Sequence, residues 1–443
     1  MPTESGPIPP LRPRARARDT TGARQLRRVA VASLVGTMVE WYDFYIYGTA
    51  AALALGDLFF PELNPTAQTL SAFATFAIGF LARPLGGVLF GHLGDRVGRR
   101  HVLIATLLLM GFSTFAIGLL PTYASIGVAA PLLLVVLRFL QGIAVGGEWG
   151  GAVLLGVERA PARRRTFYGS FAQVGSPLGL LTAAGVFALV ERLPTYALYS
   201  WGWRIPFLLS VVLIAIGQFV RSRVEEVPVT RRERTRLPLG VVLREHWAAV
   251  ALGTGAMVVT LTGFYLSTTF LTSYGTGHLG FSSNDLLVGT MLVAVVQIVA
   301  LPLAAVLADH AGRRPVILAG TLLSAALSVP LFALAGSGVV VLLWLGMVLY
   351  NIARSLVYGP LPAFAAALFP AEVRFTGISL CYQLAGILGG GIAPLIAVAL
   401  AGGDGDALPA ALYLAATGVL SSVCVVVIGR RTDHLTRADE AGA

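Results

Sequence analysis

The sequence predicts an all-α membrane protein of twelve transmembrane helices, arranged as two pseudo-symmetric six-helix bundles. Three observations lead there. Apolar residues make up 56% of the 443 positions and charged residues only 12%, against about 45–50% and about 25% for a soluble domain. The apolar residues fall into twelve continuous runs, each long enough to cross about 30 Å of hydrocarbon as a helix. A basic cassette, Gly91-His92-Leu93-Gly94-Asp95-Arg96-Val97-Gly98-Arg99-Arg100, recurs in worn form as Ala305-Val306-Leu307-Ala308-Asp309-His310-Ala311-Gly312-Arg313-Arg314. Asp95 and Asp309 are 214 positions apart, about half the chain, as expected of a duplicated membrane unit.

The runs are read in order as 29–54, 70–91, 102–120, 128–156, 168–190 and 203–220 in the first bundle. Those of the second are 248–272, 286–308, 315–335, 339–363, 376–400 and 410–428. Helices are required because an open sheet leaves backbone groups unpaired in lipid, and barrel-type alternation is absent. The organisation follows: a basic tail (1–28), a first bundle (29–220), a linker (221–247), a second bundle (248–428) and a short tail (429–443). Of the 32 arginines, 27 fall in the tails and in the loops on one side, which places both termini in the cytoplasm and demands an even number of spans. The first run, with Glu40 and Asp43 inside it, is too long and too polar for a cleaved signal. The linker mixes Arg231-Arg232-Glu233-Arg234 with Pro228 and Pro238 and reads as a solvated connector.

Composition also excludes functions. The net charge of +10 sits in short loops between apolar runs and does not point to nucleic acid. Cys381 and Cys424 lie in apolar runs, and the six histidines have no ligand spacing, so neither metal nor disulfide framework is expected. No nucleotide fingerprint, catalytic triad or cofactor motif is visible, so the chain reads as no enzyme and needs no cofactor.

Charges inside the runs are the candidate site. Each of Glu40, Asp43, Arg83, Arg138, Glu148 and Arg354 costs at least about 2.5–3.5 kcal/mol near the bilayer centre unless paired or watered. Rise per residue puts Asp43 and Glu40 at the depth of Arg138, and Glu148 at that of Arg83, which predicts two carboxylate–arginine couples. The spare acid beside Arg138 is a proton site, with Asp43 first, then Glu40 and Glu148. Arg138 and Arg354, one from each half, suit a carboxylate. Tyr42, Gln173, Tyr265, Tyr382 and Gln383 complete the expected substrate-binding set, with Tyr45, Tyr47, Ser176, Gln297, Asn351 and Tyr358 among the other polar positions of the cavity.

The cassette Gly91–Arg100 resembles the loop motif of the major facilitator superfamily. Glu40-Trp41-Tyr42-Asp43-Phe44, Arg138-Phe139-Leu140-Gln141-Gly142, Gly146-Gly147-Glu148-Trp149-Gly150-Gly151, Trp201-Gly202-Trp203-Arg204-Ile205-Pro206-Phe207 and Phe369-Pro370 with Arg374-Phe375-Thr376-Gly377 are similar to its metabolite:proton symporters. The resemblance spans nearly the whole chain. It implies a symporter in the inner membrane of a bacterium that imports a small organic acid or zwitterion with a proton; a proton-coupled exporter of a drug or secondary metabolite is the alternative. A cytoplasmic gate is expected from Asp95, Arg96, Arg99 and Arg100, from Asp309 and Arg313, and from Glu158 with Arg165. In the second half Ala367 stands where the resemblance implies an acid, leaving Arg374 to find another partner. The gate should therefore be lopsided, with Asp95 outweighing Asp309, whose cassette has lost Gly and Arg at Ala308 and His310.

Overall fold

The computed structural model describes residues 16–97, 99–146, 157, 160–222, 238–370, 372–402 and 405–441, with side chains from residue 31 to 429 apart from 32, 91–92, 94–103, 162 and 217–238. Twelve helical segments succeed one another: α1 (Arg16–Leu53), α2 (Pro65–Val97), α3 (Arg99–Leu119), α4 (Ala129–Val145), α5 (Arg165–Val190), α6 (Ile205–Ser222), α7 (Trp247–Gly277), α8 (Ser283–Ala311), α9 (Arg313–Ala335), α10 (Val340–Tyr358), α11 (Arg374–Ala401) and α12 (Leu408–Ala441). Eight are long and apolar enough to cross a bilayer as they stand, and parts of α3, α4 and α6 are shorter apolar helices. The start of α1, the end of α6, the start of α7 and the end of α12 lie on one face, called here the terminal face.

Side-chain burial divides each helix as lipid immersion requires. Leu81, Leu85 and Leu89 on α2, Leu132 and Val136 on α4, and Leu303 and Leu307 on α8 point outward, while Phe73, Phe76 and Phe80 of α2 are fully buried. Apolar outer faces give no hydrophobic drive between helices in lipid, so close packing must supply it. Glycine does this where α2 crosses α4: a Cβ at Gly142 or Gly146 would fall on the carbonyl oxygen of Gly79 or Arg83. Where α1 meets α5, a Cβ at Gly175 would come within 2.6 Å of the Leu34 carbonyl oxygen.

Among the described residues, two helices depart from regular geometry. Leu266–Phe270 in α7 and Ile387–Ile392 in α11 are π-helical. In α7 the hydroxyls of Ser267 and Thr268 both donate to the Phe264 carbonyl, at 3.3 and 2.7 Å, competing with the backbone ladder. In α11 the distortion coincides with Gly389-Gly390-Gly391, pressed against α2 and α7. Such bulges occur often at functional sites. Part of the expected linker is also structured: Pro238–Glu245 is a short helix with Val242 fully buried.

Two helix starts at the face opposite the termini, those of α2 and α8, are capped. Asn64 Oδ1 accepts the Ala67 N–H at 2.9 Å, with Pro65 as first residue of α2. On α8, Ser282 and Asp285 form a reciprocal capping box. Nearby, the Tyr199 hydroxyl donates to Asp57 Oδ2 at 3.1 Å, and burial, then that carboxylate, push its pKa to about 12.

Candidate translocation site

The buried charges of the first half converge between α1, α3 and α4. Asp43, Arg138 and Gln141 are fully buried. Arg138 and Gln141 stand three residues apart on one face of α4, and Arg138 Nη1 donates to Gln141 Oε1. Gln141 Nε2 donates to Thr114 Oγ1 at 2.8 Å, and Thr114 Oγ1 lies 3.0 Å from Asp43 Oδ2. The couple expected between Asp43 and Arg138 is thus relayed through two neutral side chains, with no carboxylate–guanidinium contact between them. Asp43 Oδ1 and Arg138 Nε and Nη2 have no hydrogen-bond partner. The guanidinium is instead held over ring faces, 3.8 Å from Tyr47, 5.0 Å from Phe44 and 5.4 Å from Phe76.

Arg83 lies over the opposite neighbours, 4.0 Å from Phe44 and 4.3 Å from Phe80. Its expected partner Glu148 lies outside the described residues. Glu40 is buried on α1 beside the site.

The second half supplies one arginine. Arg354 on α10 donates from Nε to the Thr260 carbonyl at 2.7 Å, leaves Nη1 without a partner, and sits 4.7 Å from Tyr358 and 4.8 Å from Phe264. Around it, Tyr358 and Tyr382 hydroxyls are 3.3 Å apart, and Gln297, Asn351 and Ser267 link α8, α10 and α7 through bonds of 2.8 and 3.0 Å. Tyr265 joins the two clusters: its ring is 5.4 Å from Phe76 and 5.6 Å from Phe80 of the other half, and its hydroxyl has no partner.

The remaining expected residues divide. Gln173 Nε2 reaches the Tyr358 carbonyl at 3.3 Å and Gln383 Nε2 the Gly146 carbonyl at 2.9 Å, so both bridge the halves. Tyr42 is turned elsewhere: its hydroxyl donates to the Pro206 carbonyl at 2.8 Å and ties α1 to α6. The α1 tyrosine at the interface is Tyr45, 2.5 Å from Ser176 and with its ring 5.1 Å from Phe264. Thr114 and Gln141 had no assigned role in the sequence. Gln141 appears in the sequence only within the motif Arg138–Gly142, with no role attached, and Thr114 carries no signal at all.

At the terminal face the second cassette makes the contact. Asp309 Oδ1 and Oδ2, at the end of α8, accept the backbone N–H groups of Thr166 and Phe167 at 3.1 and 3.0 Å. They cap the start of α5 in the other half, where helix partial charge favours an anion. Arg313 Nε donates to Thr166 Oγ1 at 3.1 Å beside it. Arg165 is exposed, and Arg374 Nε donates to the Phe369 carbonyl at 3.2 Å. The side chains of Asp95, Arg96, Arg99 and Arg100, and the whole of Glu158, lie outside the described residues. Loss of Gly and Arg at Ala308 and His310 leaves this carboxylate–helix cap in place, while the expected comparison with Asp95 falls outside the described residues.

The profile of the Major Facilitator Superfamily matches residues 33–394 and 278–442. The chain is 44% identical over 411 residues to the inner membrane metabolite transport protein YhjE of Escherichia coli, covering 90% of this chain and 93% of that one. It is 40% identical to the shikimate transporter of the same organism, covering 86% and 89%. With the glycine betaine/proline/ectoine/pipecolic acid transporter OusA of Dickeya dadantii it shares 35% identity, covering 89% and 82%. Among solved structures, the partially occluded inward open conformation of the xylose transporter XylE from E. coli superposes with a TM-score of 0.70 at 18% identity, covering 90% of this chain and 98% of that chain, a likeness of fold. Twelve antiparallel spans, a duplicated loop cassette and matches along nearly the full length lead to one assignment: the chain belongs to the major facilitator superfamily, as a transporter of metabolites.

Proposed function

We propose that this transporter is a proton-coupled symporter that imports a small carboxylated metabolite by alternating access, with the terminal face in the cytoplasm. The observation that carries the reading is a pair of buried guanidiniums, Arg138 and Arg354, one from each half, each with N–H groups lacking a partner inside one aromatic enclosure. Unpaired buried donors are costly, and a carboxylate answers them with the geometry guanidinium favours. Hydroxyls at Tyr265, Thr260 and Thr262 are also without partners, which suits a substrate bearing hydroxyl groups. A quaternary ammonium fits less well, because arginine already covers the ring faces of Phe44, Tyr47, Phe264 and Tyr358.

Coupling follows from the relay. Thr114 has one hydroxyl hydrogen and two acceptors within reach, Asp43 Oδ2 and the Met110 carbonyl, each at 3.0 Å. With Asp43 ionised the hydrogen turns to the carboxylate, and the chain Arg138–Gln141–Thr114 is oriented toward the anion. Protonation of Asp43 removes that anion, lets Thr114 turn to Met110, and frees Arg138 to take the substrate carboxylate. Glu40 and Glu148 are the alternative proton sites.

Uptake into proteoliposomes tests this, with radiolabelled shikimate and glycine betaine as probes. Shikimate should be concentrated when the outside is made acidic, and betaine should not. Shikimate uptake driven by a sodium gradient alone would overturn the coupling. Concentration of betaine without shikimate would overturn the preference for a hydroxylated carboxylate over a quaternary ammonium.

A further inference from the structure

Helices α5 and α8 run antiparallel along the contact between the halves, and their two ends differ. At the terminal face they are shut by Asp309, whose carboxylate caps the start of α5. At the opposite face they flank a cavity of about 300 Å³, lined by Ala188, Glu191 and Arg192 from the end of α5 and by Ser282, Ser283 and Asn284 from the start of α8. The chemistry is the same at both ends: a carboxylate at the end of one helix, and a helix start on the other. Here the two have not met. Ser282 satisfies only the Asp285 N–H, and those of Ser283 and Asn284 have no acceptor among the described residues. The Glu191 carboxylate has no hydrogen bond among the described residues, and half-burial raises its pKa. The other ionisable groups nearby are Arg192, exposed, and Asp57 and Tyr199, bonded to each other, with Asp285 held in its capping box.

We propose that Glu191 is the second of two alternating clamps: when the halves rock to shut this face, its carboxylate caps the start of α8 through the Ser283 and Asn284 N–H groups, as Asp309 now caps the start of α5. The two caps alternate between the open states, because an open mouth at either end requires the cap at that end to be broken. Glu191 thereby acts as a positioning residue that stabilises the state open to the terminal face. The idea depends on neither the substrate nor the coupling ion.

A reporter placed near the terminal face reads the balance without any substrate. Ser170 is buried near the start of α5, one turn on from Thr166 and on the face that carries Gln173. In purified Ser170→Cys protein, the rate of maleimide labelling should rise with the time the terminal face is open; the unaltered chain, with Cys381 and Cys424 buried, gives the background. Asp309→Asn should speed labelling and Glu191→Gln should slow it, each about fivefold, the weight of one charge at a helix end. Ser283→Pro removes one of the receiving N–H groups at a position where proline suits a helix. Its neighbour Ser282 is already extended (φ −71°, ψ 151°), as a residue before proline must be, and α2, the counterpart of α8, begins with Pro65. Ser283→Pro should slow labelling too, and combining it with Glu191→Gln should slow it no further than Glu191→Gln alone. Unchanged labelling in Glu191→Gln protein that melts normally would overturn the proposal. So would slowing that Ser283→Pro neither reproduces nor shares. A Glu191→Cys, Ser283→Cys pair gives a second test: oxidation should cross-link it during cycling, and failure to cross-link also overturns the clamp.

Discussion

Asp43 and Arg138 belong to one hydrogen-bonded chain, yet each keeps polar atoms without a partner in a place where that is costly. A purely structural pair would be expected to close on itself. On the proposed reading, Asp43→Asn abolishes accumulation driven by a pH gradient while exchange of labelled for unlabelled substrate persists; concentration of substrate by this variant would move the proton site to Glu40 or Glu148. Arg138→Lys keeps the charge but loses the fork, so both activities should weaken by about tenfold or more, the worth of one charge-assisted hydrogen bond of about 1.5–3 kcal/mol. Thr114→Val separates the relay from the rest of the site. It strips Asp43 Oδ2 and Gln141 Nε2 of their partner, and should lower stability by about 1–3 kcal/mol and uncouple uptake from pH more than it slows exchange. Thermal melts beside paired uptake and exchange assays read all three variants. How much of this was legible follows from the chemistry: charges in apolar sequence announce themselves through their solvation cost, so Asp43, Arg138 and Arg354 stood out. The hydroxyl that links the first two did not, because threonine in a membrane helix is ordinary and its partner depends on helix rotation. Tyr42 and Tyr45 show the same limit. Three residues apart on α1, they end on different neighbours, Pro206 and Ser176, and only packing decides which faces the other half.

At the scale of elements, the helices were legible from run length and their irregularities were not. The π segments of α7 and α11 arise from hydroxyls bonding back along α7 and from the tight seat of three glycines in α11, and neither alters hydrophobic periodicity. The α11 seat has a consequence. A Cβ at Gly390 would lie 2.8 Å from the Phe80 ring and 2.9 Å from Tyr265, so Gly390→Ala forces α11 away from α2 and α7. Overpacking of this kind costs about 1–3 kcal/mol, and the state in which the halves meet should bear it. Substrate exchange should slow about tenfold, and Phe80→Ala added to Gly390→Ala should restore part of the rate by vacating the space. Slowing that Phe80→Ala does not relieve would show that the glycine serves the helix itself and not the contact. The worn cassette taught the opposite lesson. Its sequence has drifted, but the cap made by Asp309 needs only a carboxylate at a helix end facing another helix start, and that survives loss of the surrounding glycine and arginine.

For the whole molecule, duplication and arginine placement make linked claims. Twelve spans put the start of α1 and the end of α12 on the same face, and the proposed orientation puts that arginine-rich face in the cytoplasm, since positive loops resist translocation. The clamps give this orientation its meaning: Asp309 then closes the mouth toward the cell interior, and the cleft at Glu191 opens toward the side from which an imposed proton gradient drives import. Inverting the chain would leave every internal contact intact and exchange the mouths that face the two sides, while the proton gradient still sets the direction of transport, so topology must be measured apart from fold. Single cysteines at Ser222, at the end of α6, and at Thr432, in the last part of α12, should resist a membrane-impermeant maleimide in intact cells and react once the cells are opened. Tyr196→Cys, in the α5–α6 connection where the native side chain is 78% exposed, should react in intact cells. The reverse pattern would leave the twelve-helix fold standing and exchange the two mouths, so that a gradient acidic outside would drive substrate in from the mouth closed by Asp309 and not from the one closed by Glu191.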